Sequence, residues 1–236
     1  MSGSPRPSLS VVLLARDQAW NVDRLVGSVL AATDGLPREV VLVDSASADG
    51  TAELAERHPV GVLRIAAGYG ARLTPAAGRA AGVRHTTGDL VLFLDGDMEL
   101  QPGWLVPALA ALSADASVVA VTGEVIDLPP GAPAPRPPAE APPGARDVAR
   151  AGGAALYRRE ALLAAGGFDP WLHAEEEPDL CRRGLLLGSG QIARRSRGRE
   201  LPGMLRDRPF IATEVAMNGR SRSIPGSSLP RLRRAI

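Results

Sequence analysis

Five short apolar runs, spaced by stretches of helical periodicity, constrain this chain more than any other feature. Residues 9–14, 40–43, 62–65, 90–94 and 118–122 are four to six residues long and rich in Val, Leu and Ile, the pattern of buried strands. After the first run, Val22, Leu25, Val26, Val29 and Leu30 fall on one helical face. Further helices are expected over 51–57, with Ser47 or Asp49 as cap, over the alanine-rich 75–85 and over 104–112. Strands alternating with helices at this spacing predict an α/β fold with a parallel sheet and right-handed crossovers.

The alternation stops where Pro and Ala dominate, from Asp127 to Arg146, and that stretch reads as a loop or linker. A helix is expected over 154–165, closed by Gly166-Gly167, and another from Pro178, a residue suited to a first helical turn. Beyond Gly188 the periodicity fades, and the last 35 or so residues are expected to fold little on their own.

Composition narrows the function classes. The chain has 236 residues, 45% hydrophobic and 22% charged, the balance of a globular protein of one large or two small domains. It has no apolar run near the roughly 20 residues a membrane span needs and no signal-peptide core in residues 1–10, so a cytoplasmic location is the expectation. Cys181 is the single cysteine, which leaves no internal disulfide and no zinc cluster. Every basic residue is Arg. Residues 1–193 carry 16 Arg against 23 acidic residues, a net charge of −7; residues 194–236 carry 11 Arg against Glu200, Asp207 and Glu214, a net charge of +8. This basic end reads as a solvated tail, or as a patch for a phosphorylated acceptor or the anionic face of a membrane. Among its arginines only Phe210 is aromatic, which argues against base stacking, and no nucleic-acid partner is expected.

In an open parallel sheet, ligands bind beyond the carboxyl ends of the strands. Three polar groups fall there: Arg16-Asp17, Asp44 and Asp95-Gly96-Asp97. Each has a plain structural reading, since Asp17 and Asp49 suit helix caps and Asp-Gly suits a turn. Together they suit a cation and an anion. Two carboxylates one residue apart give hard oxygen ligands for Mg²⁺ or Mn²⁺, which take one or two protein carboxylates and complete their shell with phosphate oxygens.

That spacing resembles the DXD motif of nucleotide-sugar glycosyltransferases, and the order of segments resembles the family 2 glycosyltransferases with the GT-A fold. Leu13-Leu14-Ala15-Arg16-Asp17 is similar to the family's first-strand motif, and Val43-Asp44-Ser45-Ala46-Ser47-Ala48-Asp49-Gly50-Thr51 to its VDxxSxDGT stretch. Gly78-Arg79-Ala80-Ala81-Gly82 resembles ARNxG, and Gly88-Asp89 through Asp97 resembles the strand that ends in DXD. The segment from Gly153 to Arg159, with Gly166-Gly167-Phe168-Asp169, resembles the approach to the catalytic ED motif, here Glu176-Glu177. The likeness covers about residues 8–185.

It implies a GT-A fold, a Rossmann-like, mostly parallel sheet flanked by helices with a loop-rich acceptor half. Residues 1–123 would form the nucleotide-sugar half, 124–200 the acceptor half of the same domain, and 201–236 the Arg-rich tail. The implied activity is an inverting, non-processive transfer of a sugar from a UDP- or GDP-sugar to an acceptor hydroxyl. Ala15, Asp17, Asp44, Arg79, Asp95 and Gly96 would bind the donor, Asp97 with Asp95 would hold Mg²⁺ or Mn²⁺, and Glu177, with Glu176, would supply the general base. Ala80 stands where the family has Asn, and Arg206 where many relatives have a metal-binding His; a guanidinium cannot coordinate a cation, so Arg206 is expected on the diphosphate. His173 is a further candidate ligand beside the acids. Gln191-Ile192-Ala193-Arg194-Arg195 lacks the Trp of the QxxRW element, which argues against a processive synthase. A phosphatase using Asp-x-Asp would need a downstream Lys, which the chain lacks. The alternative class is a catalytically degenerate nucleotide-sugar-binding or scaffolding protein.

Overall fold

The computed structural model describes residues 8–66, 73–123 and 154–183, with the backbone of three further strands at 191–194, 214–217 and 220–222. The first half runs β1 (Leu9–Ala15), α1 (Val22–Ala32), β2 (Arg38–Asp44), α2 (Thr51–Ala55), β3 (Gly61–Arg64), α3 (Pro75–Arg84), β4 (Leu90–Asp95), α4 (Leu105–Ala114) and β5 (Val118–Thr122). Then come β6 (Ala155–Arg158), α5 (Arg159–Ala164), α6 (Glu176–Arg182), β7 (Gln191–Arg194), β8 (Glu214–Met217) and β9 (Arg220–Arg222).

All of these strands join one sheet, ordered β7-β5-β6-β4-β1-β2-β3-β8-β9. Its centre is parallel: β1 pairs with β2 and β4, and β2 pairs with β3. The five runs read from sequence are all strands. β5 points the same way as β4, but β6 is inserted between them and is antiparallel to both. The helix expected over 154–165 is therefore corrected to a strand, β6, followed by the six-residue α5. Ala155–Arg158 is drawn into the sheet by pairing to Leu90–Phe93 and to Ala120–Val121, contacts that no local periodicity reports. The C-terminal segment adds β8 beside β3, and β9 beside β8, so it extends an existing edge.

Both faces of the sheet are covered. Leu9, Val11 and Leu13 of β1 face a core shared with α1 and α4, while Val12 and Leu14 face the opposite core with Ala80, Ala81, Leu162 and Leu180. This period of two is the pleat of the strand. Helix α3 lies unusually close to β1, because a Cβ on Gly82 would fall 2.2 Å from Val12 Cγ1 and one on Gly78 would fall 3.0 Å from Leu14 Cδ2. Thr74 starts this helix, its hydroxyl accepting from the Ala77 amide at 3.1 Å, with Pro75 at the first helical position. Phe93, Tyr157 and Phe168 pack edge to face below it, with centroids 5.3 to 6.2 Å apart.

The amino-terminal edge of the sheet is tied by Arg159, which donates to the carbonyls of Val83 and Gly88 and to the hydroxyls of Ser10 and Thr86. Among the described residues, no helix is long and apolar enough to cross a membrane.

Candidate functional site

Register sets three strand ends level. Ala15 stands opposite Asp44 on β2, and Leu14 stands opposite Asp95 on β4. The carboxyl edge of the sheet therefore carries Asp44 and Asp95 on either side of β1, with Gly96 and Asp97 in the turn beyond.

The loops after β1 and β2 are knitted together. The Asp17 amide donates to Ser47 Oγ at 2.9 Å, and the Ala48 amide donates back to Asp17 Oδ1 at 2.8 Å. Next to this pair, the Gln18 amide donates to Thr51 Oγ1 at 2.8 Å and the Ala19 amide to Asp49 Oδ2 at 2.9 Å. Asp17 thus spends one carboxylate oxygen on the second loop. Asp49 also takes the Thr51 amide, at 3.0 Å, but the cap expected at Ser47 or Asp49 is corrected: α2 starts from Gly50 in the left-handed region, with no side-chain cap bond.

Among the described residues, the non-glycine residues with positive φ are Asp17 (53°), Ala46 (57°) and Glu175 (64°). The first two lie in these two loops, and Glu175 directly precedes α6. Backbone strain of this kind persists where the surroundings over-determine it and gathers at functional sites.

Asp44 is 3% exposed. Its Oδ2 accepts from the Ser47 amide at 3.2 Å, whereas its Oδ1 is buried with no partner. A buried acceptor without a donor is costly unless something brings one. Gln18 Oε1 is the other buried side-chain atom in this condition among the described residues.

The turn after β4 is held from below by Asn21, a buried residue that no motif in the sequence marks. Its Nδ2 donates to the carbonyls of Gly96 and Met98, both at 3.0 Å. Met98 N closes the turn onto the Asp95 carbonyl at 3.0 Å. Gly96 is required there, since a Cβ would lie 2.8 Å from the Leu14 carbonyl oxygen and 3.2 Å from Ala15 Cα. Asp97 is exposed at the tip.

From the other side, α6 brings in two acids. Arg79, reaching over from α3, binds three carboxylates at once: Nη1 to Glu176 Oε1 at 2.8 Å, and Nη2 to Asp95 Oδ1 and Glu177 Oε1, both at 2.9 Å. Its guanidinium carbon lies 5.7 Å from the centre of the Phe168 ring. Glu176 is buried and Glu177 half-buried. Burial raises the Glu177 carboxyl above its ordinary value; Arg79 opposes this, and Glu176 and Asp95 add to it. Burial likewise raises Asp95, against Arg79 and together with Asp97 and Glu176. At its far end, α6 is anchored by Arg183, which reaches Asp179 and donates to the carbonyls of Ala165 and Gly167.

The fold thus brings together Ala15, Asp17, Asp44, Arg79, Asp95, Gly96, Asp97, Glu176 and Glu177 at one edge. His173 is exposed in the loop before α6. Arg206 lies outside the described residues. No three His, Cys, Asp or Glu side chains among the described residues form a metal cage. Asp95 and Asp97, one residue apart in the turn after β4, offer hard carboxylate oxygens of the kind Mg²⁺ and Mn²⁺ take together with phosphate.

Comparison with known proteins places this geometry. Residues 10–163 match the family described as glycosyl transferase family 2. Human polypeptide N-acetylgalactosaminyltransferase 15 is 35% identical over 132 residues, an alignment covering 51% of this chain and 20% of that protein. The chain therefore spans about a fifth of the length of that curated relative. Among solved structures, Staphylococcus aureus TarS 1–349 in complex with UDP-GlcNAc superimposes with a TM-score of 0.60 at 18% identity, covering 83% of this chain and 60% of that one. The mannosyltransferase PcManGT from Pyrobaculum calidifontis, in complex with GDP-Man and Mn²⁺, superimposes with a TM-score of 0.55 at 20% identity, covering 79% and 57%. The fold is the GT-A arrangement of these structures, and the chain belongs to glycosyl transferase family 2.

Proposed function

We propose that this protein is an inverting, non-processive glycosyltransferase that moves a sugar from a uridine-diphosphate donor to an acceptor hydroxyl. The observation that carries this reading is the meeting at one sheet edge of a buried, donor-seeking carboxylate oxygen on Asp44, the Asp95–Asp97 pair, and the Glu176–Glu177 helix start. Family membership supports it, as do the nucleotide-sugars in the TarS and PcManGT structures.

Asp44 Oδ1 has no partner, whereas Oδ2 already accepts from the Ser47 amide at 3.2 Å, so Oδ1 is the oxygen that most needs a donor. Uracil presents a single imide N–H flanked by carbonyls, which one acceptor satisfies. Guanine presents two adjacent donors that ask for both carboxylate oxygens, one of which already holds the Ser47 amide. Uridine is the better match.

Asp97, with Asp95, would hold Mg²⁺ or Mn²⁺. The cation, when bound, offsets the charge that gathers on the departing diphosphate. In the transfer, the acceptor oxygen forms a bond to the anomeric carbon as the bond from that carbon to the diphosphate oxygen breaks. The electron pair leaves with the diphosphate, and the acceptor proton goes to the Glu177 carboxylate. Attack from the face opposite the leaving group inverts the centre. A carboxyl raised by burial is a stronger base than an ordinary glutamate once ionised, which suits this role.

The test is release of UDP from UDP-sugars with Mn²⁺ present. Slow hydrolysis is expected with the wild-type protein and is expected to be lost in Asp97→Asn. Tight UDP binding without turnover on any donor or acceptor would instead support a non-catalytic binding protein.

A further inference from the structure

We propose that Arg79 is a positioning residue that holds Glu177 against Asp95, rather than a ligand of the nucleotide. The inference rests on the reading of this edge as a donor site, and it assigns Arg79 a different task within it.

The Arg79 side chain is 2% exposed. Both terminal nitrogens meet carboxylates, Nη1 that of Glu176 and Nη2 those of Asp95 and Glu177, all within 2.9 Å, and the Phe168 ring lies nearby. A side chain that met a diphosphate directly would present free N–H groups toward the cleft. Here the side chain is buried, and Nη1 and Nη2 turn to three carboxylates.

The origin of the side chain is equally fixed. Gly78 and Gly82 seat α3 on Leu14 and Val12, so the helix cannot drift outward without losing the core under it. What Arg79 reaches is less secure. Helix α6 has seven residues, starts from Glu175 in the left-handed region and has no side-chain cap. So short a helix has little stability of its own and sits where its contacts put it. Leu180 and Cys181 bury its middle, and Arg183 ties its far end to the turn after α5. Its acidic start is tied to the described sheet through Arg79, across 97 residues of sequence. Without this cation, three gathered carboxylates repel one another and the start of α6 moves away from β4. Lysine is a poor substitute, since one ammonium point charge cannot span three acids as a planar fork does.

The experiment compares full-length wild type, Arg79→Lys and Arg79→Met. It measures UDP affinity with Mn²⁺ by calorimetry, hydrogen exchange across residues 176–182, and the kcat and KM of UDP-sugar hydrolysis. The expected result is a UDP Kd within about threefold of wild type, with exchange across 176–182 faster by about tenfold in Arg79→Met and by less in Arg79→Lys. Hydrolysis is expected to fall by about a hundredfold in kcat with little change in KM, the scale of loss for a catalytic group displaced by about 1 Å. A UDP Kd weakened by about tenfold or more, with exchange across 176–182 unchanged, would overturn the proposal and make Arg79 a nucleotide ligand. If Arg79→Met does not fold, Arg79→Lys carries the same readouts. If wild type binds no nucleotide, the donor-site reading fails, while the exchange arm still decides whether Arg79 holds α6.

Discussion

Gly82→Ala should push α3 off the sheet and, through Arg79, disturb acids far from the substitution. The added Cβ would lie 2.2 Å from Val12 Cγ1, 2.9 Å from Cγ2 and 3.1 Å from Cβ. Carbon atoms rest at about 3.5–4.0 Å, so the helix must retreat by more than about 1 Å. Overpacking of this sort costs about 1–3 kcal/mol. Replacing a helical glycine with alanine returns about 1 kcal/mol. The single variant is therefore expected to lose about 0–2 kcal/mol, too wide a range to decide anything alone.

The double-mutant cycle with Val12→Ala does decide. Val12→Ala removes the two nearest carbons and by itself costs roughly 1.5–3 kcal/mol for two lost methyl groups. In the double variant the new methyl enters that space, so the pair should be coupled by at least about 1 kcal/mol in the stabilising direction. Urea unfolding followed by circular dichroism gives the four free energies. Hydrogen exchange across residues 176–182 should rise in Gly82→Ala, as the Arg79 contacts of 2.8 and 2.9 Å open, and should return in the double variant. A coupling below about 0.5 kcal/mol would refute the reasoning that Gly82 is a seat for α3.

Further outcomes follow from the same contacts. Asn21→Leu should strand the carbonyls of Gly96 and Met98 and loosen the Asp95–Asp97 turn, at a cost of about 1–3 kcal/mol; calorimetry with Mn²⁺ and UDP should show weaker metal binding, and unchanged affinity would count against a holding role. Thr51→Val should leave the Gln18 amide without its acceptor and lower stability by about 1–3 kcal/mol, seen as a reduced urea midpoint. Arg159→Met should destabilise by about 2–4 kcal/mol by removing the donor from four acceptors at the amino-terminal edge, yet leave UDP affinity unchanged in those molecules that remain folded. Glu177 holds its proton more tightly when folded than at its ordinary value of 4.5, so the folded state binds more protons than the unfolded chain just above that value. Its contribution to stability therefore falls as pH rises through that window, and Glu177→Gln, measured by urea unfolding with chelator present, should gain stability relative to wild type over the same rise. A difference that does not vary with pH would contradict the burial of this carboxyl.

The sheet was legible because its strands announce themselves locally. Val40–Val43 and Leu90–Leu94 are apolar on both faces and end in an acid, and those acids do stand level at one edge. What the sequence hid was decided by distant partners. Ala155–Arg158 has the spacing of a helix and becomes a strand because β4 and β5 leave a gap between them. Asn21 looks like an ordinary residue at the start of α1, and only the folded chain shows its amide under the turn. Asp17 carries the position of a donor ligand, yet one of its oxygens joins two loops. Arg79 has no local signal for its three acids, two of which lie in α6. One clue is local: Arg79 stands amid Ala, Gly and Val over residues 76–83, and a guanidinium buried in such a stretch must find anions.

The most direct trial of the whole account is a crystal structure of the protein with UDP and Mn²⁺. The predicted result has the uracil imide donating to Asp44 Oδ1, the manganese on Asp97 with diphosphate oxygens completing its shell, and Arg79 still on its three carboxylates. Uracil bound away from Asp44, or a diphosphate seated without contact to the turn at Asp95–Asp97, would contradict it.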